Sequence, residues 1–231
     1  MTIAAVIFDL DGTLVDSEPQ SLDTIAAEMR ALGLTDTRPE DIRAEFLGVS
    51  LADICRRIEA RSGRPVPADF AARVEARLFQ AYARDLRPIE GALALLDRLR
   101  AAGFPMAIAT GGSVRRMHET LRLGGLAHRF GCCLSAEQVP RGKPAPDLFL
   151  LAAAEMGVAP ARCLVLEDAE PGIRAGLAAG MQVWRFTGGS HFQAIAGPEP
   201  ADARPHRHIA SFDEMFEVAP RLRRAPSKVL P

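Results

Sequence analysis

The chain has 231 residues, 48% of them hydrophobic and 25% charged, with a formal net charge of −1. That composition suits a globular protein with one large domain, or a core carrying a smaller insert. The balanced charge supplies no basic field for nucleic acid, and no apolar run approaches the ~20 residues of a bilayer span.

The first element is the apolar run Ile3-Ala4-Ala5-Val6-Ile7-Phe8, too short for a useful helix and rich enough in β-branched residues for a buried parallel strand. Gly12 ends it in a turn. Asp9 and Asp11 therefore stand at the carboxyl end of a strand, where open α/β sheets place their ligands. Two acids at one point repel unless a cation or a proton intervenes, so the pair suggests Mg²⁺ or acid–base work. The other reading is a strand-ending turn in which Asp and Gly serve only backbone geometry.

Ser17-Glu18-Pro19-Gln20 has the form of a helix start, with Ser17 as cap. Leu22, Ile25, Ala26, Met29 and Leu32 follow at helical spacing, and Gly33 closes the segment. Helical patterns continue over 40–46, 51–61 and 68–84 without a convincing strand, which reads as a separate all-helical unit. From Pro88 the pattern changes. A helix ending near Gly103 leads to a strand over 105–109, a helix over 113–123, a short strand near 132–134, and a helix over 147–156. A strand over 163–166, a helix over 172–179 and a strand over 182–186 complete the alternation. Strands and helices at this spacing imply a parallel sheet covered on both faces.

Three further strand ends carry polar residues. Thr110-Gly111-Gly112-Ser113 joins a strand to a helix, and a hydroxyl followed by exposed backbone N–H groups can hold a phosphate. A plain connection capped by Ser113 is the alternative. Gly142-Lys143-Pro144-Ala145-Pro146-Asp147 sets a lysine before a rigid proline pair. Of the 28 basic residues only Lys143 and Lys228 are lysines, so Lys143 stands out from its background. The strand over 163–166 ends in Glu167-Asp168, a second acidic pair; a helix-capping Asp168 ahead of Pro171 is the alternative there. The small residues Gly172, Ala175, Gly176 and Ala179 let the next helix approach the sheet closely.

Taken together and in this order, these segments resemble the haloacid dehalogenase-like superfamily of aspartate-nucleophile phosphotransferases. The matching signatures are Asp9-Leu10-Asp11-Gly12-Thr13-Leu14-Val15-Asp16-Ser17-Glu18, Thr110-Gly111-Gly112, Gly142-Lys143-Pro144-Ala145-Pro146-Asp147 and Glu167-Asp168. The likeness runs to about residue 216 and is greatest to the subgroup of β-phosphoglucomutase and small sugar phosphatases. It implies an α/β fold: a Rossmann-like parallel-sheet core, residues 1–15 and 88–231, with an inserted α-helical cap domain at 16–87. It also implies a nucleophile at Asp9, a general acid/base at Asp11, and a phosphoryl cradle of Thr110, Gly111 and Lys143. Mg²⁺ would be held by Asp9, the Asp11 carbonyl and Asp168, with Glu167 in the outer shell.

The departures narrow this. Ala169 replaces the serine usual after Glu-Asp. Leu51, in the segment Leu47-Gly48-Val49-Ser50-Leu51, stands where the mutases carry a phosphate-gripping arginine, and Ser21 where they carry a histidine. Hydrolysis of a small phosphorylated metabolite, a sugar phosphate, is therefore expected, with a phosphosugar mutase or a non-catalytic ligand-binding relative as alternatives. Asp11 argues against dehalogenase chemistry, and the lack of lysine in 16–88 argues against phosphonate hydrolysis. His118 and His128 are expected to face solvent or cap a helix; His191, in a loop near the sheet's rim after Thr187-Gly188-Gly189-Ser190, could approach the site, with a surface role the favoured reading; His206-Arg207-His208 is expected as no metal site, and Trp184 in the core. Residues 221–231 read as a frayed basic tail. Cys55, Cys132, Cys133 and Cys163 lack zinc spacing and read as free thiols. With no leader ahead of the first strand, a cytoplasmic monomer or weak homodimer without nucleic-acid or membrane partners is expected.

Overall fold

The structure is a computed structural model that describes residues 2–34, 39–46, 49–194 and 199–218. Leu47, Gly48 and the tail over 221–231 lie outside the described residues. β1 (Ala5–Phe8) is followed by four helices, α1 (Glu18–Ala31), α2 (Pro39–Phe46), α3 (Leu51–Ser62) and α4 (Phe70–Asp85). Then come α5 (Ala92–Ala101), β2 (Met106–Thr110), α6 (Val114–Leu123), β3 (Cys132–Ser135), α7 (Asp147–Glu155) and β4 (Cys163–Glu167). α8 (Glu170–Ala178), β5 (Gln182–Phe186), β6 (Arg207–Ile209) and α9 (Glu214–Val218) complete the order.

The six strands make one parallel sheet in the order β3-β2-β1-β4-β5-β6. β1 lies between β2 and β4, so the chain leaves it in opposite directions along the sheet, and the crevice at its carboxyl end is a switch point of the kind that receives ligands. Along β1, Val6 and Phe8 face one apolar cluster with α5 and α6, while Ala5 and Ile7 face another with α7 and α8. Both faces of the strand are buried, which is why its sequence is uniformly apolar rather than alternating.

Helices α1 to α4 have an apolar centre of their own, built by Leu22, Ile25, Met29, Ile42, Phe46, Ile54, Ile58, Phe70 and Val74, whereas α5 packs on the sheet. α4 straddles the two units: Phe70 and Val74 belong to that centre, whereas Leu78, Tyr82 and Leu86 pack into the sheet's cluster. β6 and α9 go beyond the elements that periodicity predicts. β6 is three residues long with only Ile209 buried, so it carries no apolar run to read. His206 Nδ1 accepts the Val183 N–H at 3.1 Å, and His208 pairs with Glu199 at 2.8 Å, so these two histidines serve the sheet edge. Trp184 is buried, and His118 and His128 are exposed, as expected. The four cysteines are unpaired, and burial pushes the Cys133 and Cys163 thiols up to about 11. Among the described residues no helix is long and apolar enough to cross a membrane.

Candidate active site

Parallel pairing places the site. The register Phe8↔Leu166 continues one residue further, where the Asp9 N–H donates to the Leu166 carbonyl at 2.9 Å. Asp9 is thereby set beside the end of β4 and its Glu167-Asp168 pair. Lys143, from the loop before α7, reaches across with Nζ 2.6 Å from Asp9 Oδ1 and 2.7 Å from Glu167 Oε1. Asp9, Asp11, Thr110, Gly111, Lys143, Glu167 and Asp168 line one pocket, so every candidate site residue from four separate segments meets there. Thr110 Oγ1 accepts the Gly112 N–H at 3.1 Å, and Ser113 caps α6 by accepting the Arg116 N–H at 2.9 Å. The helix-cap reading of Ser113 is thereby met, and Thr110 and Gly111 stand in the pocket lining.

Gly12 makes the close approach possible. Its φ is +81°, and a Cβ there would stand 2.5 Å from Asp168 Oδ2. Any L side chain at this position is strained and collides with Asp168. The next residue, Thr13, donates its hydroxyl to Asp168 Oδ1 at 2.9 Å.

The electrostatics are those of an under-compensated acidic site. Asp9, Glu167 and Asp168 are all buried and bring one oxygen each within 4.8 Å of the others. Burial, then the neighbouring acids, hold the Asp9 carboxyl well above the ordinary carboxylate range, although Lys143 pulls the other way. Burial also raises Glu167, and it raises the adjacent Glu18 to about 7 with help from Asp168. Burial alone would lower Lys143, but Asp9 and Glu167 outweigh it and keep the ammonium charged. Three buried acids around one lysine leave negative charge in a low-dielectric site, and the donors are all oxygen, which fits a hard divalent cation such as Mg²⁺. Glu167 has Lys143 on Oε1 and the Ala169 N–H on Oε2 at 2.6 Å. Its oxygens are thus engaged by the protein, in keeping with a supporting position.

Asp11 is held separately. Its Oδ1 accepts from Ser17 Oγ at 2.7 Å and from Tyr82 OH at 3.2 Å, and lies 3.0 Å from Arg116 Nη2. Two expectations need correction here. Ser17 occupies the position before α1 but makes no side-chain cap: its backbone is helical rather than extended, and its hydroxyl is turned to Asp11, to which it donates. His191 is not a surface residue: its side chain is fully buried with Nε2 3.0 Å from Asp168 Oδ2. Arg116 and Tyr82 are site residues that no motif marks. Arg115 and Arg116 are adjacent, and a single sequence does not say which faces inward; Arg115 turns out to Glu75.

Residues 3–180 match the family model described as haloacid dehalogenase-like hydrolase. The chain belongs to the haloacid dehalogenase-like hydrolase family. Hexitol phosphatase A of Escherichia coli strain K12 is 38% identical over 184 residues, covering 79% of this chain and 82% of that protein. The 6-phosphogluconate phosphatase of the same strain is 32% identical over 221 residues, covering 94% and 96%. A crystal structure of a haloacid dehalogenase family hydrolase from Deinococcus radiodurans R1, with bound phosphate and sodium, superposes with a TM-score of 0.72. It is 32% identical and covers 97% of this chain and 99% of that one. Within the haloacid dehalogenase-like hydrolases this chain is an enzyme of the phosphatase type.

Particular residues mark this family member. Leu51 lines the pocket, and Ser21 lies 3.5 Å from Arg116 Nη2. Arg73 and Arg77 turn to Glu28 instead of the pocket, at 3.1 and 3.0 Å. Arg116→Met removes the cation beside Asp11 but leaves Ser17 and Tyr82 in place. A charge-assisted hydrogen bond is worth about 1.5–3 kcal/mol, so kcat/KM is expected to fall roughly 10- to 100-fold. Steady-state phosphate release measures this; an unchanged kcat/KM would make Arg116 a packing residue.

Proposed function

We propose that this protein is a Mg²⁺-dependent phosphomonoester hydrolase acting on a small phosphorylated metabolite, a sugar phosphate, through an aspartyl-phosphate on Asp9. The observation that carries the reading is the meeting of Asp9, Lys143, Thr110-Gly111 and Asp168 in one pocket, with Asp11 held two residues away on its own partners. An Asp9 oxygen attacks phosphorus while the bond to the substrate oxygen breaks, and Asp11 gives its proton to the departing alkoxide. A water then attacks the same phosphorus, loses a proton to the Asp11 carboxylate and frees Asp9. All three protein contacts of Asp11 named above fall on Oδ1, so the travelling proton is assigned to Oδ2. Lys143 and the Thr110-Gly111 backbone hold the phosphoryl oxygens, where phosphoryl transfer gains most from fixed charge.

Asp9, the Asp11 carbonyl and Asp168 would hold the Mg²⁺, which neutralises phosphoryl charge when bound. Residues 16–87 act as a cap that shuts water out and selects the substrate. Ile25, Phe46, Leu51 and Ile54 give the cap side of the pocket an apolar wall, while Glu18 and Glu75 add negative charge. Both cations lining the pocket, Lys143 and Arg116, already pair with acids. This combination favours a small leaving group without a second anionic group. A cytoplasmic setting suits four unpaired thiols.

The test is release of inorganic phosphate from p-nitrophenyl phosphate and a panel of sugar phosphates, with and without Mg²⁺. Turnover is expected with the metal and is lost on chelation. Among the sugars, neutral monophosphates are expected to exceed bisphosphates and phosphorylated sugar acids. Conversion of a sugar 1-phosphate to its 6-phosphate without phosphate release would establish a mutase instead. Ligand binding without turnover would establish a binding protein.

A further inference from the structure

The loop after β5 returns to the site by a route that no motif announces. Ser190 fastens it to the first loop, with its N–H 3.3 Å and its hydroxyl 2.8 Å from Asp16 Oδ1. Gly189 then lets the side chain two residues on fold inward: a Cβ there would stand 2.6 Å from His191 Cε1 and 2.7 Å from Nδ1. The His191 ring fills that space, fully buried, against an Asp168 side chain that is only 2% exposed.

Burying an imidazole is costly unless its nitrogens are used. His191 Nε2 lies 3.0 Å from Asp168 Oδ2, yet neither ring nitrogen has an aligned hydrogen bond within the protein. A phenylalanine or leucine would fill the volume at lower cost, so packing alone does not account for a histidine here. Asp168 is held on its other sides: Thr13 donates to Oδ1 at 2.9 Å, and Arg185 Nε donates to the backbone carbonyl at 3.0 Å. Oδ2 is the remaining handle on the carboxylate, and His191 stands against it.

We propose that His191 is a positioning residue for Asp168, fixing the carboxylate in the orientation in which it takes up a divalent cation. The inference rests on the metal-dependent reading above. A modest turn of ring or carboxylate aligns Nε2–H with Oδ2; one lone pair of that oxygen is then occupied and rotation about the Cβ–Cγ bond stops. Partners of this kind, one bond removed from the metal, typically govern 10- to 100-fold in metal affinity. His191 lies behind Asp168 and is absent from the pocket lining, so it has no direct claim on substrate.

The experiment is calorimetric titration of Mg²⁺ into the metal-free full chain, as wild type, His191→Gln and His191→Phe. His191→Phe keeps the ring's bulk without a donor, and His191→Gln keeps an N–H. The expected result is a Kd raised about 10- to 100-fold in His191→Phe and largely restored in His191→Gln. Substrate KM at saturating Mg²⁺ should be unchanged, and the melting temperature of His191→Phe in EDTA should not fall. Equal affinity in all three proteins overturns the proposal. No binding by the wild type overturns the metal-dependent reading itself, a separate result. Should His191→Phe fail to fold, ring-¹⁵N NMR of the wild type decides: Mg²⁺ must move the His191 Nε2 signal while leaving exposed His118 and His128 in place. A stationary His191 signal overturns the proposal.

Discussion

Asp9→Asn is expected to abolish phosphate release, lowering kcat by at least about 10⁴-fold, the scale on which removal of a nucleophile is felt. The same substitution is expected to raise the stability of the metal-free protein. Asp9 is buried among Glu167 and Asp168, and its proton is held far more tightly in the native state than in the unfolded chain. A carboxyl shifted in that direction favours folding at low pH and loses that contribution as pH rises from the ordinary carboxylate range through its folded value. Glu18, raised to about 7, adds to the loss up to neutrality. Asparagine has no charge to bury, so the variant should keep more of its low-pH stability. Lys143 retains Glu167 at 2.7 Å as a partner, and the pair does not collapse. Thermal melts in EDTA between pH 5 and 8, beside a phosphate-release assay, measure both effects. Turnover surviving in Asp9→Asn would remove Asp9 as nucleophile.

Lys143→Met should have the largest effect on stability. The ammonium is 5% exposed and bonds both Asp9 and Glu167, which are themselves buried. Removing one partner of such a group strands the others in low dielectric, a loss of about 3–5 kcal/mol, or roughly 10 °C for a chain of this length. The raised Lys143 proton affinity means the ammonium contributes fully at neutral pH, below its unfolded value, and fades only as pH rises through the folded one. At pH 5 the stranded acids can take up protons, so the loss should shrink there. Denaturant melts of metal-free protein at pH 5 and 8 report the difference; an equal loss at both would show that charge pairing is not its source. Phosphate release should fall by about 10²–10³-fold as well, the usual scale for deleting one fixed charge at a transferring group.

How much of this could be read beforehand depends on the range of each contact. Asp9, Asp11, Thr110 and Asp168 were legible because each ends or follows a short apolar run, and a parallel sheet gathers such ends at one edge; Lys143 was legible because lysine is scarce in this chain and a proline pair follows it. The helices of residues 17–85 were legible from their period. Tyr82 fell within that period and is indeed core; only its hydroxyl, at the tip, belongs to Asp11. Ser17 was misread because a helix start offers a hydroxyl two uses, and the acid six residues earlier took it. For His191 the surface role was favoured over approach to the site because the residues before it, Thr187-Gly188-Gly189-Ser190, are small and polar. Its burial comes from a loop pinned to Asp16, a contact that spans 174 residues of chain.

α4 has a mechanical consequence. It is one continuous helix with Phe70 and Val74 rooted in the apolar centre of helices α1 to α4, and Leu78 and Tyr82 rooted in the sheet's. Such a rod acts as a lever whose fulcrum lies between Val74 and Leu78. A swing of the proposed cap would either flex the rod there or pull its lower arm, and the lower arm carries the phenol that donates to Asp11. In such a swing, opening the cleft and loosening the acid would be one movement.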